Sequence, residues 1–256
     1  MIELSHVQKS YDGGRSYAVA DTSFHVERGE FLALIGESGC GKTTTLKMIN
    51  RLEEPSLGEV RVNGENVLDQ NTEQLRRNIG YVFQGIGLFP HHSITENVAA
   101  VPQLLGWDAN RIQTRCEQIL SMVGLPIDLY GNRYPGQLSG GQQQRVGVAR
   151  ALAAEPEVVI MDEPFGALDP ITRVDLQEEF KRIQQELKLT VVMVTHDMTE
   201  ALLLADRVAV MKGGELLQIG SPSELFNQPQ HEYVRKIVDM PKRRADRLEE
   251  IMGGQS

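Results

Sequence analysis

A glycine-rich segment constrains the fold of this chain more than any other feature of its sequence. Residues 36–43 read Gly-Glu-Ser-Gly-Cys-Gly-Lys-Thr and fit the pattern Gly-x-x-x-x-Gly-Lys-[Ser/Thr]. An apolar run at residues 31–35 precedes them, as expected of a buried strand, and residues 43–50 can continue as a helix. In such a loop the backbone N–H groups converge on one concavity, where the helix N terminus adds partial positive charge. The segment predicts a phosphate-binding loop, and its strand and helix context makes a chance match the weaker alternative.

The side chains of this loop predict which parts of a nucleotide they contact. Lys42 is expected to reach the β- and γ-phosphates, and the Thr43 hydroxyl is expected to bind Mg²⁺. Cys40 lies near a helix N terminus and beside Lys42, and both effects favour a thiolate whose alkylation would block hydrolysis. A buried thiol is the alternative. The predicted nucleotide contacts in this segment are Gly36, Ser38, Gly39, Cys40, Gly41, Lys42, Thr43 and Thr44.

Length and charge limit the classes of protein to be considered. The chain has 256 residues, enough for one large or two modest domains, and its formal net charge of −9 gives no reason to expect a nucleic-acid partner. Two cysteines do not make a disulfide framework, which favours a reducing compartment. The sequence shows no signal peptide and no apolar run near the ~18 residues of a membrane span. We therefore expect a soluble protein that meets any membrane through a partner.

Hydrophobic patterning divides the chain into regions of different texture. Residues 2–11, 22–26 and 59–62 read as antiparallel strands, with Asn63-Gly64 as a hairpin turn. Residues 93–154 are helical and begin with the capping box Ser93-Ile94-Thr95-Glu96. Predicted strands at 79–83, 158–161, 191–195 and 208–211 alternate with helices at 171–187 and 198–205, which indicates a parallel sheet with crossover helices. We expect a nucleotide-binding core with a β subdomain at 1–89 and 156–220, an inserted helical subdomain at 90–155, and a helical tail at 221–256.

Two further stretches carry polar groups suited to nucleotide chemistry. Asp162 and Glu163 follow a short apolar strand, where the first can hold Mg²⁺ and the second can act as general base toward a water molecule. Residues 138–142, Leu-Ser-Gly-Gly-Gln, begin a predicted helix at which Ser139 and the Gly140 and Gly141 amides can meet an anion. An acidic loop and a flexible glycine loop are the alternatives. A second anion site on the inserted region cannot easily reach the phosphate loop of its own chain.

These motifs together resemble the nucleotide-binding subunit of ABC transporters over about residues 1–240. Residues 36–43 are similar to the Walker A motif, 158–163 to Walker B and 138–142 to the family signature. Gln84 fits the Q-loop, residues 167–169 the D-loop, His196 the switch histidine and Tyr11 the aromatic that stacks on adenine. The resemblance implies an α/β fold, with a P-loop NTPase core, an antiparallel β subdomain and an inserted helical subdomain.

The resemblance also implies an ATPase with a composite site. Two copies would pair head to tail, with each ATP and its Mg²⁺ between the Walker A of one copy and the signature of the other. Ser139 and Gly141 would bind the γ-phosphate across the dimer, and Tyr11 would contact adenine unless it is an ordinary strand aromatic. The implied catalytic residues are Glu163, His196 and Lys42, and the implied Mg²⁺ ligands are Thr43, Gln84 and Asp162.

The implied partners are integral membrane permease subunits at the cytoplasmic face of the membrane and, indirectly, a periplasmic or lipoprotein solute-binding protein. In the family a short helix of the membrane subunit docks near residues 84–90, so Ile86, Leu88 and Phe89 are expected to line or support that groove; burial under the helical subdomain is the alternative. Residues 81–91, 101–107 and 237–241 resemble the quaternary-amine importers of glycine betaine, choline and carnitine. Many of those carry C-terminal CBS modules, for which this sequence has no room, so gating through them is not expected.

Three functional classes stay open on sequence alone. The chain fits the energy-coupling ATPase of an importer, for quaternary amines or for another small solute. A soluble ABC ATPase of DNA repair or translation usually carries a coiled-coil insertion or two cassettes, and this chain has neither. A non-hydrolysing scaffold has no need of Glu163 and His196.

Overall fold

The computed structural model describes residues 1–85 and 87–253, and within them it shows two β-sheets and ten α-helices. The strands are β1 (Ile2–Lys9), β2 (Val19–Val26), β3 (Phe31–Gly36), β4 (Leu57–Val62), β5 (Glu65–Asn66), β6 (Ile79–Val82), β7 (Val158–Asp162), β8 (Thr190–Thr195), β9 (Arg207–Lys212) and β10 (Glu215–Gly220). The helices are α1 (Lys42–Ile49), α2 (Thr72–Arg77), α3 (Ile94–Leu104), α4 (Ala109–Met122), α5 (Ile127–Tyr130), α6 (Gly140–Leu152), α7 (Pro170–Leu187), α8 (Met198–Leu204), α9 (Pro222–Asn227) and α10 (Glu232–Gly253).

The N-terminal strands form an antiparallel sheet in the order β2-β1-β4-β5, as their alternating pattern predicts. β1 lies in the middle and pairs Leu4 with Phe24 of β2 and with Val60 of β4. The predicted hairpin turn joins β4 to β5, because Asn63 and Gly64 both adopt the left-handed conformation that a tight two-residue turn requires.

The second sheet brings the functional segments to one edge. Its strand order is β10-β9-β3-β8-β7-β6, with every neighbouring pair parallel except β10 against β9. All residues of β3 and β8 are buried, as expected of strands covered on both faces. Because parallel strands end at the same edge, the loops that follow β3, β6, β7 and β8 lie close together. These loops carry the phosphate loop, Gln84, Glu163 and His196.

The chain between β6 and β7 adds helices and no described strand, in agreement with the helical texture of residues 93–154. The predicted capping box begins α3, since Ser93 Oγ accepts the Glu96 N–H at 3.2 Å and the Glu96 carboxylate accepts the Ser93 N–H at 2.6 Å. Val98 of α3 and Ile119 of α4 belong to the same hydrophobic cluster as Phe31 of β3. The helical region therefore shares a continuous core with the main sheet.

Some elements differ from the sequence prediction. The first strand ends at Lys9, two residues before Tyr11. Helix α2, capped by Asn71, has six residues and is too short to show a helical period. The predicted helical tail consists of α9 and α10, and α10 packs against α8 and α9. Among the helices that the structure describes, none has the length and apolar character that crossing a bilayer requires.

Candidate functional site

The phosphate loop connects β3 to α1 and leaves the helix N terminus open. Gly41 is the N-cap of α1 in a left-handed conformation with φ 100°, and a Cβ there would lie 2.3 Å from the Ala18 carbonyl oxygen, so only glycine fits. Within the described part of the chain, the first turn of α1 has no side-chain cap and no acidic residue. Its amide groups and partial positive charge are therefore available to an anion, as predicted from the glycine pattern.

Lys42 is held inside the loop that surrounds it. Its side chain is buried, and Nζ donates to the carbonyl oxygens of Gly36 at 2.8 Å and Glu37 at 3.0 Å. These two contacts hold the positive charge of Lys42 beside residues 36 and 37, next to the uncapped N terminus of α1. The arrangement suits the phosphate contact predicted for Lys42.

Thr43 and Asp162 meet at the predicted metal position. The Thr43 hydroxyl donates to Asp162 Oδ1 at 2.9 Å, across the space between α1 and the end of β7. Burial raises the pKa of Asp162, and the hydrogen bond from Thr43 opposes that shift. A hydroxyl and a carboxylate in contact form the hard oxygen set that Mg²⁺ prefers, so these residues fit the ion.

Glu163 lies between two other residues that the sequence singles out. Gln84 Nε2 donates to Glu163 Oε2 at 3.1 Å, and His196 Nδ1 lies 3.3 Å from the same oxygen. The backbone of Glu163 is left-handed, with φ 44°, and its N–H donates to the Val194 carbonyl oxygen of β8 at 2.9 Å. A non-glycine residue in this conformation is uncommon and typical of functional sites. The carboxylate is thus fixed at the sheet edge, where a general base toward water is chemically reasonable.

Ser139 and Gly141 lie at the N terminus of α6, with Ser139 as its N-cap residue. Ser139 is exposed and caps α6 through its contact with the Gln142 N–H, and no hydrogen bond joins it to the loop within the described residues. Gly141 is buried, and a Cβ there would lie 2.3 Å from Thr172 Cγ2 of α7. Glycine at position 141 therefore has a packing reason that the sequence did not reveal.

Tyr11 lies in the exposed loop after β1. Its side chain is 62% exposed, and its ring centroid is 4.8 Å from Lys9 Nζ. An exposed ring is free to stack on a base, and this role stays a prediction. Ala18 and Val19, at the start of β2, pack against Gly41 of the phosphate loop.

Cys40 does not have the thiolate character predicted for it. The residue is 2% exposed, and burial raises the pKa of its thiol. Lys42 Nζ lies 3.7 Å from Sγ and lowers the pKa, but desolvation is the larger effect. The prediction of a reactive thiolate was wrong, because the sequence does not show that the side chain turns inward.

A buried network behind His196 was missed by sequence reasoning. The Thr195 hydroxyl donates to Glu200 Oε2 at 2.6 Å and accepts the Asp197 N–H at 3.0 Å. Gln177 Nε2 of α7 donates to Glu200 Oε1 at 3.1 Å. The network ties the two neighbours of His196 to helix α7. Glu200, the acidic residue of the mostly apolar helix α8 (Met198–Leu204), was the available signal.

Comparison with known proteins identifies the family. Residues 19–166 match the family described as ABC transporter. The chain belongs to the ABC transporter family. It is 49% identical over 261 aligned residues to the choline transport ATP-binding protein OpuBA of Bacillus subtilis, covering 100% of this chain and 68% of that protein. It is 52% identical over 238 residues to the glycine betaine/carnitine/choline transport ATP-binding protein OpuCA of Bacillus subtilis, with coverages of 93% and 62%.

Other relatives agree with this membership. The glycine betaine uptake system ATP-binding protein YehX of Escherichia coli is 52% identical over 237 residues, covering 93% of this chain and 76% of that protein. This chain thus spans 62–76% of the length of these three relatives. The dimeric post-hydrolysis structure of the ATP-binding cassette MJ0796, bound to ADP and Pi, is similar with a TM-score of 0.76 and 35% identity, covering 86% of this chain and 98% of that chain. The predicted family resemblance and ABC ATPase fold are confirmed.

Proposed function

We propose that this ABC family member is the ATP-hydrolysing subunit of an importer for quaternary-amine osmoprotectants. The observation that supports hydrolysis most directly is the position of the Glu163 carboxylate, in contact with Gln84 and His196 at the sheet edge that carries the phosphate loop. A module that only binds nucleotide needs no such positioned carboxylate. Because the chain covers part of its relatives' length, activity, solute and partners are all included in the proposal.

The residues of the site divide the work of hydrolysis. Lys42 and the other predicted loop contacts bind the phosphates, namely Gly36, Ser38, Gly39, Cys40, Gly41, Thr43 and Thr44, and Thr43, Gln84 and Asp162 would hold Mg²⁺. When bound, Mg²⁺ neutralises charge on the phosphate oxygens. Glu163 accepts a proton from the attacking water.

His196 and Gln84 keep the Glu163 carboxylate in place through their contacts with Oε2. His196 would also reach the γ-phosphate. Each role is inferred from the sequence motif that contains the residue, and the contacts described above are compatible with it.

The signature helix α6 is proposed to act on a second copy of the chain. Ser139 is exposed, and among the described residues no hydrogen bond joins it to the phosphate loop of its own chain, which is compatible with a γ-phosphate contact in another copy. The similar cassette MJ0796 forms dimers. In a head-to-tail homodimer, Ser139 and Gly141 of one copy would complete the site of the other, and Asp169, the N-cap of α7, would lie at the contact.

The membrane partner is proposed to dock beside β6. Phe83 and Phe89 are both more than 40% exposed, and Phe83 lies with Tyr81 and Leu52 in a groove between helix α2 and the helices α3 and α6. Leu88 is half-buried against the core, and Ile86 lies outside the described residues. The exposed aromatic side chains fit a helix of permease subunits at the cytoplasmic face, with a periplasmic or lipoprotein solute-binding protein supplying solute to them. We propose that the chain divides into a core of residues 1–89 and 156–220, a helical region at 90–155 and a tail at 221–256. The helical region forms one side of this groove.

The solute is inferred from the relatives named for choline, glycine betaine and carnitine. A spermidine/putrescine import protein, PotA of Pseudomonas fluorescens, is 44% identical over 239 residues and represents the rival solute class. The test is uptake of labelled choline, glycine betaine, carnitine and spermidine by cells lacking the gene and by cells complemented with the parent chain or with Lys42→Ala. We expect the parent chain to restore uptake of the quaternary amines and to leave spermidine uptake unchanged, and we expect Lys42→Ala to restore no quaternary-amine uptake. Normal quaternary-amine uptake in the deletion strain, with loss of another solute, would refute the assignment.

A further inference from the structure

The first turn of α10 reaches the phosphate loop. The Glu37 N–H donates to Tyr233 Oη at 3.1 Å, although the two residues are 196 positions apart in the chain. Glu37 is the second residue of the loop motif. The contact thus joins the C-terminal helix directly to the segment proposed to bind ATP.

Tyr233 is held firmly in this position. Val234 and Val238, on the next turns of α10, are buried in the main core. Lys212 Nζ, at the end of β9, lies 4.8 Å from the Tyr233 ring centroid. The Tyr233 N–H donates to His231 Nδ1 at 2.9 Å. Burial raises the pKa of Tyr233, and its oxygen accepts the Glu37 N–H.

The same peptide group is bound on both sides. The Glu37 N–H and the Gly36 carbonyl belong to one planar unit and point in opposite directions. The N–H donates to Tyr233 Oη, and the carbonyl oxygen accepts from Lys42 Nζ at 2.8 Å. Gly36 is the last residue of β3 and the last in register with β9, so this peptide lies where the strand ends and the phosphate loop begins. Hydrogen bonds arranged in a chain also strengthen one another.

We propose that Tyr233 is a positioning residue for the phosphate loop: its hydroxyl fixes the 36–37 peptide and, through it, Lys42. The inference rests on the proposed function, in which Lys42 binds the phosphates of ATP. In the described part of the chain no hydrogen bond joins Tyr233 to Glu163, Gln84 or His196, so its effect belongs to nucleotide binding and not to the chemical step. Loss of one neutral hydrogen bond that pre-organises a site weakens binding about three- to tenfold.

The test compares Tyr233→Phe with the parent. This variant keeps the ring, its packing and the Lys212 contact, and removes the hydroxyl. The matched control is Tyr134→Phe, because Tyr134 is exposed in the helical region and its hydroxyl makes no hydrogen bond with the described residues. The measurements are the Kd of Mg-ATP by titration calorimetry, KM and kcat of hydrolysis, the melting temperature, and hydrogen exchange of the Glu37 amide in the nucleotide-free protein.

We expect Tyr233→Phe to raise Kd and KM about three- to tenfold with kcat within twofold of the parent, while Tyr134→Phe changes neither. The Glu37 amide should exchange faster in Tyr233→Phe alone. An unchanged Kd, a fall in kcat at constant KM, or unchanged exchange would overturn the inference. If the parent itself binds no ATP while exchange responds as expected, the contact is real and it is the proposed function that fails.

Discussion

Gly141 provides a quantitative test of how the signature helix is seated on α7. A Cβ added at position 141 would lie 2.3 Å from Thr172 Cγ2, well inside van der Waals contact. Thr172 is branched at Cβ and lies in the first turn of α7, so its methyl group cannot move away without a rotamer or backbone change. Forcing an additional methyl group into a packed contact typically costs about 1–3 kcal/mol.

A second effect acts in the opposite direction. Alanine stabilises a helix relative to glycine by up to about 1 kcal/mol, and residue 141 lies in the first turn of α6, where the gain is at most this amount. Gly141→Ala in the parent should therefore reduce the free energy of unfolding by up to about 3 kcal/mol. In a Thr172→Ser background the methyl group is absent, and the same substitution should be neutral or stabilising.

The assay is urea unfolding of the nucleotide-free parent, both single variants and the double variant. The double-mutant cycle should give a coupling free energy of about 1–3 kcal/mol between residues 141 and 172. Absence of nucleotide is essential, because the proposed γ-phosphate role of Gly141 then makes no contribution. If Gly141→Ala has the same effect in both backgrounds, the packing argument is refuted.

Three further outcomes follow from the structure. Burial raises the pKa of Glu200 above its ordinary 4.5, so its contribution to stability is fully present below pH 4.5 and is lost as the pH rises through the folded pKa. In urea unfolding, the free energy of unfolding of Glu200→Gln should fall less over that range than that of the parent. Parallel pH profiles for the two proteins would contradict this. Cys40, buried and with a raised pKa, should react with iodoacetamide more slowly than a free thiol across pH 7–9, and a rate equal to that of the unfolded chain would show an exposed thiol. Phe89→Asp should abolish transport and leave the ATPase activity of the isolated chain largely intact, whereas equal loss of both activities would indicate a packing role.

The arrangement of the site could be predicted from sequence because it depends on strand ends. Gln84, Glu163 and His196 each follow an apolar run, and parallel strands in one sheet end at one edge. The alternation of strands and helices therefore places the three side chains near the phosphate loop without any knowledge of strand order. The order itself, with β8 between β3 and β7, does not follow from the pattern.

Contacts between distant segments could not be predicted in this way. Cys40 looked reactive because only its neighbours in sequence were considered, while its burial depends on how the loop folds against the end of β9. Tyr233 belongs to no motif, and the packing of α10 on the core, with Val234 and Val238 buried, brings it to Glu37. In each case the deciding partner lies far along the chain, where periodicity and spacing carry no information.

The central claim is that Glu163 is the base of a composite site shared by two copies of the chain. Glu163→Gln keeps the shape of the side chain but cannot accept a proton, and loss of a positioned base lowers the rate about 10²–10⁴-fold. Unhydrolysed ATP would then remain between Lys42 of one copy and Ser139 of the other. Because this site exists in the dimer and not in the monomer, bound ATP shifts the monomer–dimer equilibrium toward the dimer. The control adds Ser139→Arg, which fills the proposed γ-phosphate contact and also removes the α6 cap, so its melting temperature must show a folded protein.

The direct measurement is the molar mass of Glu163→Gln by light scattering during gel filtration, with and without Mg-ATP. The account predicts a monomer without nucleotide, a dimer with Mg-ATP, and no dimer once Ser139→Arg is added. Hydrolysis at the parent rate would contradict the role of Glu163 as base. An inactive variant that stays monomeric with ATP bound would contradict the composite site.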